Sequence, residues 1–233
     1  MAKRSQLPKQ RSRPQAGTAR ARSQPSGLLL FGIVAAVVLV VIVVIVLQAQ
    51  SVRQPVQITA RPGEGTAWGP SQAKVTILGF SDFGCTHCRS FALGQGRQLR
   101  AEYEATGEVR FEYKHFIVGG SDTANAANAA ECAADQGRFW DYHDLLFSQQ
   151  GVVADPFSKS ALKRYAAQLG LDTARFNRCV DGDQHLEKVY RDTAEGRDLG
   201  VTGTPTFFIN GQKVVGAVPY TEFRAKVQEA LEK

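Results

Sequence analysis

Residues 75–91 read VTILGFSDFGCTHCRSF, a run whose character changes twice. The apolar first part predicts a buried β-strand, residues 81–84 predict a turn, and the segment from Cys88 onward predicts the start of a helix. Cys85 and Cys88 are separated by two residues at this turn, where a disulfide can open and close with little movement of the backbone. A pair with this spacing at a strand-to-helix turn is a redox signature, so the stretch predicts a redox-active dithiol.

The excess positive charge of the chain is confined to its N-terminal end. The 233 residues include 28 Lys and Arg against 22 Asp and Glu, a net charge of +6. Without the seven basic residues of the first 27, 21 basic residues face 22 acidic ones, a balance of −1. Those seven residues are Lys3, Arg4, Lys9, Arg11, Arg13, Arg20 and Arg22. The apolar segment that follows favours a topology determinant at the membrane surface over a nucleic-acid-binding arm.

Residues 27–47, GLLLFGIVAAVVLVVIVVIVL, contain no charged or hydrogen-bonding side chain. As a helix this segment is roughly 30 Å long, the thickness of a bilayer core, so it predicts a transmembrane helix. An uncleaved signal anchor is preferred to a cleaved signal peptide, because the apolar stretch is long and a small residue is missing three positions before a cut after Ala49. The basic end is then cytoplasmic and the remainder lies outside the cytoplasm.

The chain is therefore divided into four segments. Residues 1–26 are a basic cytoplasmic tail, residues 27–47 the membrane anchor, and residues 48–69 a stem rich in Gln, Pro and Gly in which residues 55–59 could add an edge strand. Residues 70–233 form one α/β domain, with a helical insertion at about 121–199.

Cys132 and Cys179 remain once Cys85 and Cys88 are paired with each other. An even number of cysteines outside the cytoplasm favours a structural disulfide between Cys132 and Cys179. A zinc site is the alternative, but the sequence lacks the second closely spaced ligand pair that such a site needs. No metal and no cofactor are expected.

The element pattern of the domain is mixed. Strands are predicted at 74–80, 109–118, 204–209 and 213–218, the last two joined by an Asn210-Gly211 hairpin turn. A helix is predicted over 88–106, a block of helices over 122–199, and a final helix after the hairpin. Ser158 and Asp172 are predicted to cap two helices of the block.

This order, with the motifs FSDFGCTHC at 80–88 and GTPTFFING at 203–211, resembles the DsbA-like thiol:disulfide oxidoreductases over residues 71–233. The resemblance implies an α/β thioredoxin fold with a helical insertion. It also implies that Pro205 is a cis-proline facing the cysteines, and that the backbone of Thr204 pairs with bound substrate.

The chemistry assigns different tasks to the residues of the CxxC pair. Cys85 is expected to be the exposed nucleophile, because the helix N-terminus favours its thiolate. Cys88 is expected to be the buried resolving thiol, and His87 to act on Cys85 through a positive charge or a hydrogen bond.

One position departs from the pattern of the thioredoxin-like proteins. Many of them carry a buried acidic residue six positions before the first cysteine, where it assists proton transfer at the second, and here that position is Gly79. Asp82, the nearest acidic residue in sequence, is the alternative candidate for this role, but its simpler interpretation is a turn or cap residue. His115, His143 and Trp140 are interpreted as structural.

Three functions fit the sequence. The first is a membrane-tethered oxidase that introduces disulfides into reduced exported polypeptides. The resemblance then implies a membrane quinone-linked partner that re-oxidises it. The second is a reductase or isomerase of the same fold, and the third is a non-catalytic peptide-binding or chaperone module.

Overall fold

The computed structural model describes residues 33, 35–44 and 65–233. Residues 33 and 35–44 are helical and belong to the predicted anchor at 27–47. Within the described residues, no helix combines the length and the apolar character needed to cross a membrane. The transmembrane helix therefore stays a prediction, and the basic tail, most of the stem and the edge strand suggested at 55–59 lie outside the described residues.

A five-stranded sheet with the order β1-β3-β2-β4-β5 forms the centre of the domain. Strand β2 is parallel to β3, and the other neighbouring pairs are antiparallel. The short first strand already lies inside the segment predicted as stem. The strands are β1 (Ala67–Trp68), β2 (Val75–Ser81), β3 (Val109–His115), β4 (Thr206–Ile209) and β5 (Gln212–Val215).

Eight helices of the domain surround this sheet in the described residues. Five of them, α3 to α7, form the insertion between β3 and β4, so the mixed α/β thioredoxin-like fold with a helical insertion is confirmed. The helices are α1 (Thr86–Leu93), α2 (Gln95–Tyr103), α3 (Ser121–Ala134), α4 (Phe139–Gln149), α5 (Lys159–Gln168), α6 (Thr173–Asp181), α7 (Leu186–Asp198) and α8 (Tyr220–Leu231).

The central strand β2 is buried on both faces, as its continuous apolar run predicts. Ile77 packs into the main core, whereas Leu78 and Phe80 belong to a smaller cluster on the opposite face. Gly79 lies opposite Tyr113 on β3 and Phe207 on β4. A buried, tightly paired strand gives a fixed platform for the turn that follows it.

Two short-range predictions agree with the local geometry. Asn210 and Gly211 both have positive φ, 44° and 83°, as a tight hairpin between β4 and β5 requires. Ser158 and Asp172 each accept a hydrogen bond from the backbone at the start of α5 and α6, so both predicted caps are present.

The single helix predicted over 88–106 is wrong, because Gly94 divides it into α1 and α2. Gly94 has φ −111° and ψ −93°, outside the helical region, and its N–H bonds to carbonyls of α1. The predicted strand at 109–118 is also too long. Its last residues leave the sheet to donate backbone N–H groups to side chains, Ile117 to Thr193 and Val118 to Asp82.

Cys132 on α3 and Cys179 on α6 are joined by a disulfide across a sequence separation of 47 residues. Both are buried, at 1% and 4% exposure, next to the run of small alanines on α3 that lets the neighbouring helices approach closely. The bridge therefore ties two helices of the insertion to each other.

Replacing both Cys132 and Cys179 with alanine should lower the free energy of unfolding by about 4 kcal/mol, because the unfolded chain loses a crosslink that closes a long loop. Urea unfolding measures the change, with Cys85→Ala present in both proteins so that the reactive thiol cannot reshuffle the bridge. An unchanged urea midpoint would show that the bridge contributes nothing to stability.

Candidate active site

Cys85 occupies the N-cap position of α1, directly after the turn that leaves β2. Its backbone is extended, with φ −81° and ψ 122°, and its Sγ accepts a hydrogen bond from the backbone N–H of Cys88 at 3.3 Å. The thiol is half-buried, whereas Cys88 is 1% exposed, and both are free. One sulfur is therefore accessible to a reaction partner, while the other lies on the buried face of α1.

Thr204 and Pro205 lie against the Cys85 sulfur although they are far from it in sequence. In its protonated form the Cys85 thiol donates a hydrogen bond to the carbonyl of Thr204 at 3.3 Å, and the Thr204–Pro205 peptide bond is cis. Thr204 is partly exposed and Pro205 is buried. The backbone of Thr204 is thus placed beside the position where a mixed disulfide would form.

The surroundings shift the two thiols in opposite directions. The pKa of Cys85 is lowered to about 5, and the largest cause is a hydrogen bond from the Cys88 side chain. Burial opposes this shift, whereas the Thr204 side chain and the backbone N–H groups of Cys88 and His87 add to it. Burial raises the pKa of Cys88, and the bond to Cys85 adds to the rise. The reduced pair therefore holds a thiolate at Cys85 and a proton at Cys88.

His87 is exposed in the first turn of α1. The group of His87 that acts on Cys85 is its backbone N–H. The effect of the imidazole on the thiolate stays a prediction.

Asp82 is buried and is occupied by four donors, which makes it a turn residue. Its carboxylate accepts from the backbone of Gly84 at 2.6 Å, from Val118 and Gly119 at 2.6 and 2.9 Å, and from the Thr123 hydroxyl at 3.1 Å. These donors belong to the active-site turn, to the segment after β3 and to α3. Asp82 therefore holds the turn in place.

Two further side chains join the insertion to the active-site segment, and no motif in the sequence predicts a role for either of them. Gln150, directly after α4, donates to the carbonyl of Phe83 at 2.6 Å. Arg89 on α1 donates to the carbonyl of Phe147 on α4 at 2.9 Å. The insertion therefore supports the segment that carries the two cysteines.

Two side-chain groups have the composition of a metal site. Cys132, Cys179 and His185 form the first, and there the two sulfurs are bonded to each other. His115, Glu131 and Asp192 form the second, where the ammonium group of Lys188 lies 2.9 Å from Glu131 and 3.1 Å from Asp192. Among the described residues, a lysine ammonium group therefore supplies the positive charge beside the carboxylates of this second group.

Comparisons with known proteins agree with this geometry. A family model described as Thioredoxin matches residues 62–229. The disulfide bond formation protein D of Bacillus subtilis is 23% identical over 169 residues, which are 70% of this chain and 75% of that protein. The crystal structure of oxidised BdbD from Bacillus subtilis has a TM-score of 0.67 at 21% identity, covering 76% of this chain and 98% of that one.

One further relative is named as an antiporter. A protein of Salinispora tropica named Na⁺/H⁺ antiporter NhaA 3 is 32% identical over 205 residues. The alignment covers 87% of this chain but only 30% of that protein, so this chain corresponds to less than a third of its length.

The reduced protein should show a thiolate titration with a midpoint near pH 5. Cys88→Ala should raise that midpoint towards the ordinary value of 9.0, because the Cys88 side chain is the largest cause of the lowered pKa. The absorbance of the thiolate measures the titration, with Cys85→Ala as the blank. By linkage, Cys85 stabilises the reduced fold fully above pH 9.0, and this contribution is lost as the pH falls through 5. A wild-type midpoint near 9.0 would contradict the site description.

Proposed function

The chain belongs to the thioredoxin family, and we propose that it is a protein thiol:disulfide oxidoreductase that donates its Cys85–Cys88 disulfide to reduced polypeptides. The opposite pKa shifts of the two thiols carry this proposal. A stabilised Cys85 thiolate favours the reduced dithiol over the disulfide. A disulfide whose reduced form is stabilised is a strong oxidant, so transfer to a substrate is downhill.

The transfer proceeds in two exchange steps at Cys85. A substrate thiolate attacks the Cys85 sulfur, a new disulfide forms between the two molecules, and Cys88 leaves with the electron pair of the old bond and takes up a proton. A second substrate thiolate then attacks the substrate sulfur of the mixed disulfide. Cys85 leaves as the favoured thiolate, and the substrate retains a disulfide.

Thr204 supplies the position for the substrate backbone during these steps. Its carbonyl is 3.3 Å from the Cys85 sulfur, so a polypeptide bound through a disulfide to Cys85 lies beside the backbone of Thr204. Pairing of the substrate backbone with Thr204 makes the exchange independent of substrate side chains. This suits an enzyme that acts on many exported polypeptides.

The proposal includes a membrane tether and a location outside the cytoplasm. Residues 27–47 supply an uncharged apolar segment of sufficient length, preceded by seven basic residues and no acidic ones. Such a location maintains disulfides, which suits the Cys132–Cys179 bridge. A quinone-linked membrane protein would then re-oxidise Cys85 and Cys88 after each transfer.

The other activities have less support. A reductase of the same fold needs a disulfide that is hard to reduce, whereas the depressed pKa of Cys85 acts in the opposite direction. A non-catalytic binding module gives no reason for a polarised, accessible thiol. Antiport is not carried over, since this chain covers 30% of the antiporter-named relative.

The oxidised protein should transfer its disulfide to a reduced peptide that contains two thiols, with one peptide disulfide formed for each protein reduced. Cys85→Ser should abolish transfer, because it removes the sulfur under attack. Mass spectrometry of alkylated samples measures both partners.

A matched variant tests the roles of the two sulfurs. Reduced Cys88→Ala, mixed with the oxidised peptide, should accumulate a covalent adduct at Cys85, because no resolving thiol is present. The donor proposal is contradicted if the oxidised wild-type protein leaves the reduced peptide unchanged while the reduced protein opens the peptide disulfide.

A further inference from the structure

Cys88 must exchange a proton with solvent although the protein buries it. Its side chain is 1% exposed, and burial raises the pKa of its thiol. It leaves as a thiolate when the disulfide is opened and must lose its proton again when the disulfide is reformed. A buried sulfur in this cycle requires a path for the proton.

Gly79 occupies the position of the buried acid in many other thioredoxin-like proteins, and this chain leaves no space for a side chain there. A Cβ added at Gly79 would lie 2.7 Å from Cζ of Phe111 and 3.2 Å from Cδ1 of Phe207. Aromatic rings from β3 and β4 thus fill the space that an acidic side chain at position 79 would enter.

A cavity of about 50 Å³ reaches Cys88 beside Gly79. This volume has room for several water molecules. Much of its lining is apolar, and its polar side chains are Ser81, Tyr113, Trp140, His143, Asp144, Arg97 and Arg100, together with the Cys88 thiol.

Buried polar atoms in the lining lack partners among the described residues. They are the hydroxyl of Tyr113, a residue only 3% exposed, and Nε1 of Trp140. Buried donors of this kind are costly unless they are hydrogen-bonded, and water beside the polar groups of the lining would satisfy them. Burial raises the pKa of Cys88 and of Tyr113, and the Ser81 side chain opposes both rises, which places Ser81 near both groups.

His143 lines this cavity beside residues that reach the protein surface. It is 5% exposed, its ring centroid lies 5.2 Å from that of Tyr113, and its Nδ1 is 2.9 Å from Oδ1 of Asp144. The Asp144 side chain is 36% exposed and forms an ion pair with Arg97 on α2 at 3.1 Å. The imidazole thus lines the cavity next to a carboxylate that is in contact with solvent.

The geometry points to His143 as the group that exchanges the Cys88 proton with solvent, through water held in this cavity by Tyr113 and Ser81. Asp144 acts as the positioning residue that fixes the imidazole. This inference rests on the proposed thiol–disulfide function and adds the route of the proton to it.

Resolution of a mixed disulfide removes one proton from Cys88 and displaces one partner thiolate. When a mixed disulfide at Cys85 is resolved, the Cys88 thiol gives its proton to the cavity water and the water gives one to His143. The Cys88 thiolate attacks the Cys85 sulfur, and the partner sulfur leaves as a thiolate. His143 then releases its proton to solvent at the Asp144 side. Opening the disulfide runs the same steps in reverse.

The groups that face His143 determine its titration. They are Asp144 on α4, Tyr113 and His115 on β3, Arg97 and Arg100 on α2, and Cys88 on α1. Burial lowers the pKa of His143, and the hydrogen bond to Asp144 opposes this.

The test uses the full chain, reduced at Cys85 and Cys88, and a dithiobis(nitrobenzoate) reagent that releases one coloured thiolate in each of two phases. The first phase reports attack by Cys85, and the second reports resolution by Cys88. At neutral pH, His143→Gln should slow the second phase by about 100-fold, leave the first phase unchanged, and remove the histidine inflection from its pH profile.

His185→Gln is the matched control, because this histidine pairs with Asp135 in the insertion and does not line the cavity. It should leave both phases unchanged. A folded His143→Gln protein that keeps the inflection, or that slows both phases equally, overturns the inference.

Asp144→Asn keeps the inference testable if His143→Gln does not fold. Removing the carboxylate should move the inflection of the second phase to lower pH, because Asp144 raises the pKa of His143. An unmoved inflection overturns the inference. Absence of a first phase in the wild-type protein would instead refute the proposed function, so the two failures can be distinguished.

Discussion

The hydrogen bonding of the Cys85 sulfur to Cys88, most strongly to its side chain and also to its backbone N–H, joins the chemistry of this protein to its fold. It places a half-buried sulfur at the positive end of α1, where unpaired N–H groups favour the thiolate. The same turn of helix buries Cys88 and disfavours its charged form. A difference between two neighbouring thiols therefore arises from where α1 begins.

The remaining architecture fixes that starting point. Strand β2 is buried on both faces and delivers the chain to a turn that the carboxylate of Asp82 holds through four donors. Thr204 lies in the segment just before β4 and completes the surroundings of the Cys85 sulfur. Gln150 then fastens the insertion to the turn. The site is thus assembled from segments that are distant in sequence and that only the sheet topology brings together.

Local patterns predicted the parts of this structure that depend on neighbouring residues. The alternation of strand, turn and helix located Cys85 and Cys88, and the Asn-Gly pair located the last hairpin. The break at Gly94 is not predicted, although two glycines, Gly94 and Gly96, already weaken a helix over this stretch. The environment of Gly79 was not predictable from local sequence, since the rings that exclude a side chain there come from β3 and β4. For the same reason, local sequence predicts only a structural role for His143, and no sequence pattern indicates the cavity beside it.

The most direct test of the account is the reduction potential of the Cys85–Cys88 pair, measured in glutathione buffers and read out by thiol labelling. A stabilised thiolate beside a buried thiol predicts a potential well above that of thioredoxin, about −270 mV, and towards that of strong disulfide donors, about −120 mV. A potential at or below the thioredoxin value would contradict the account, because the disulfide would then be too stable to be donated.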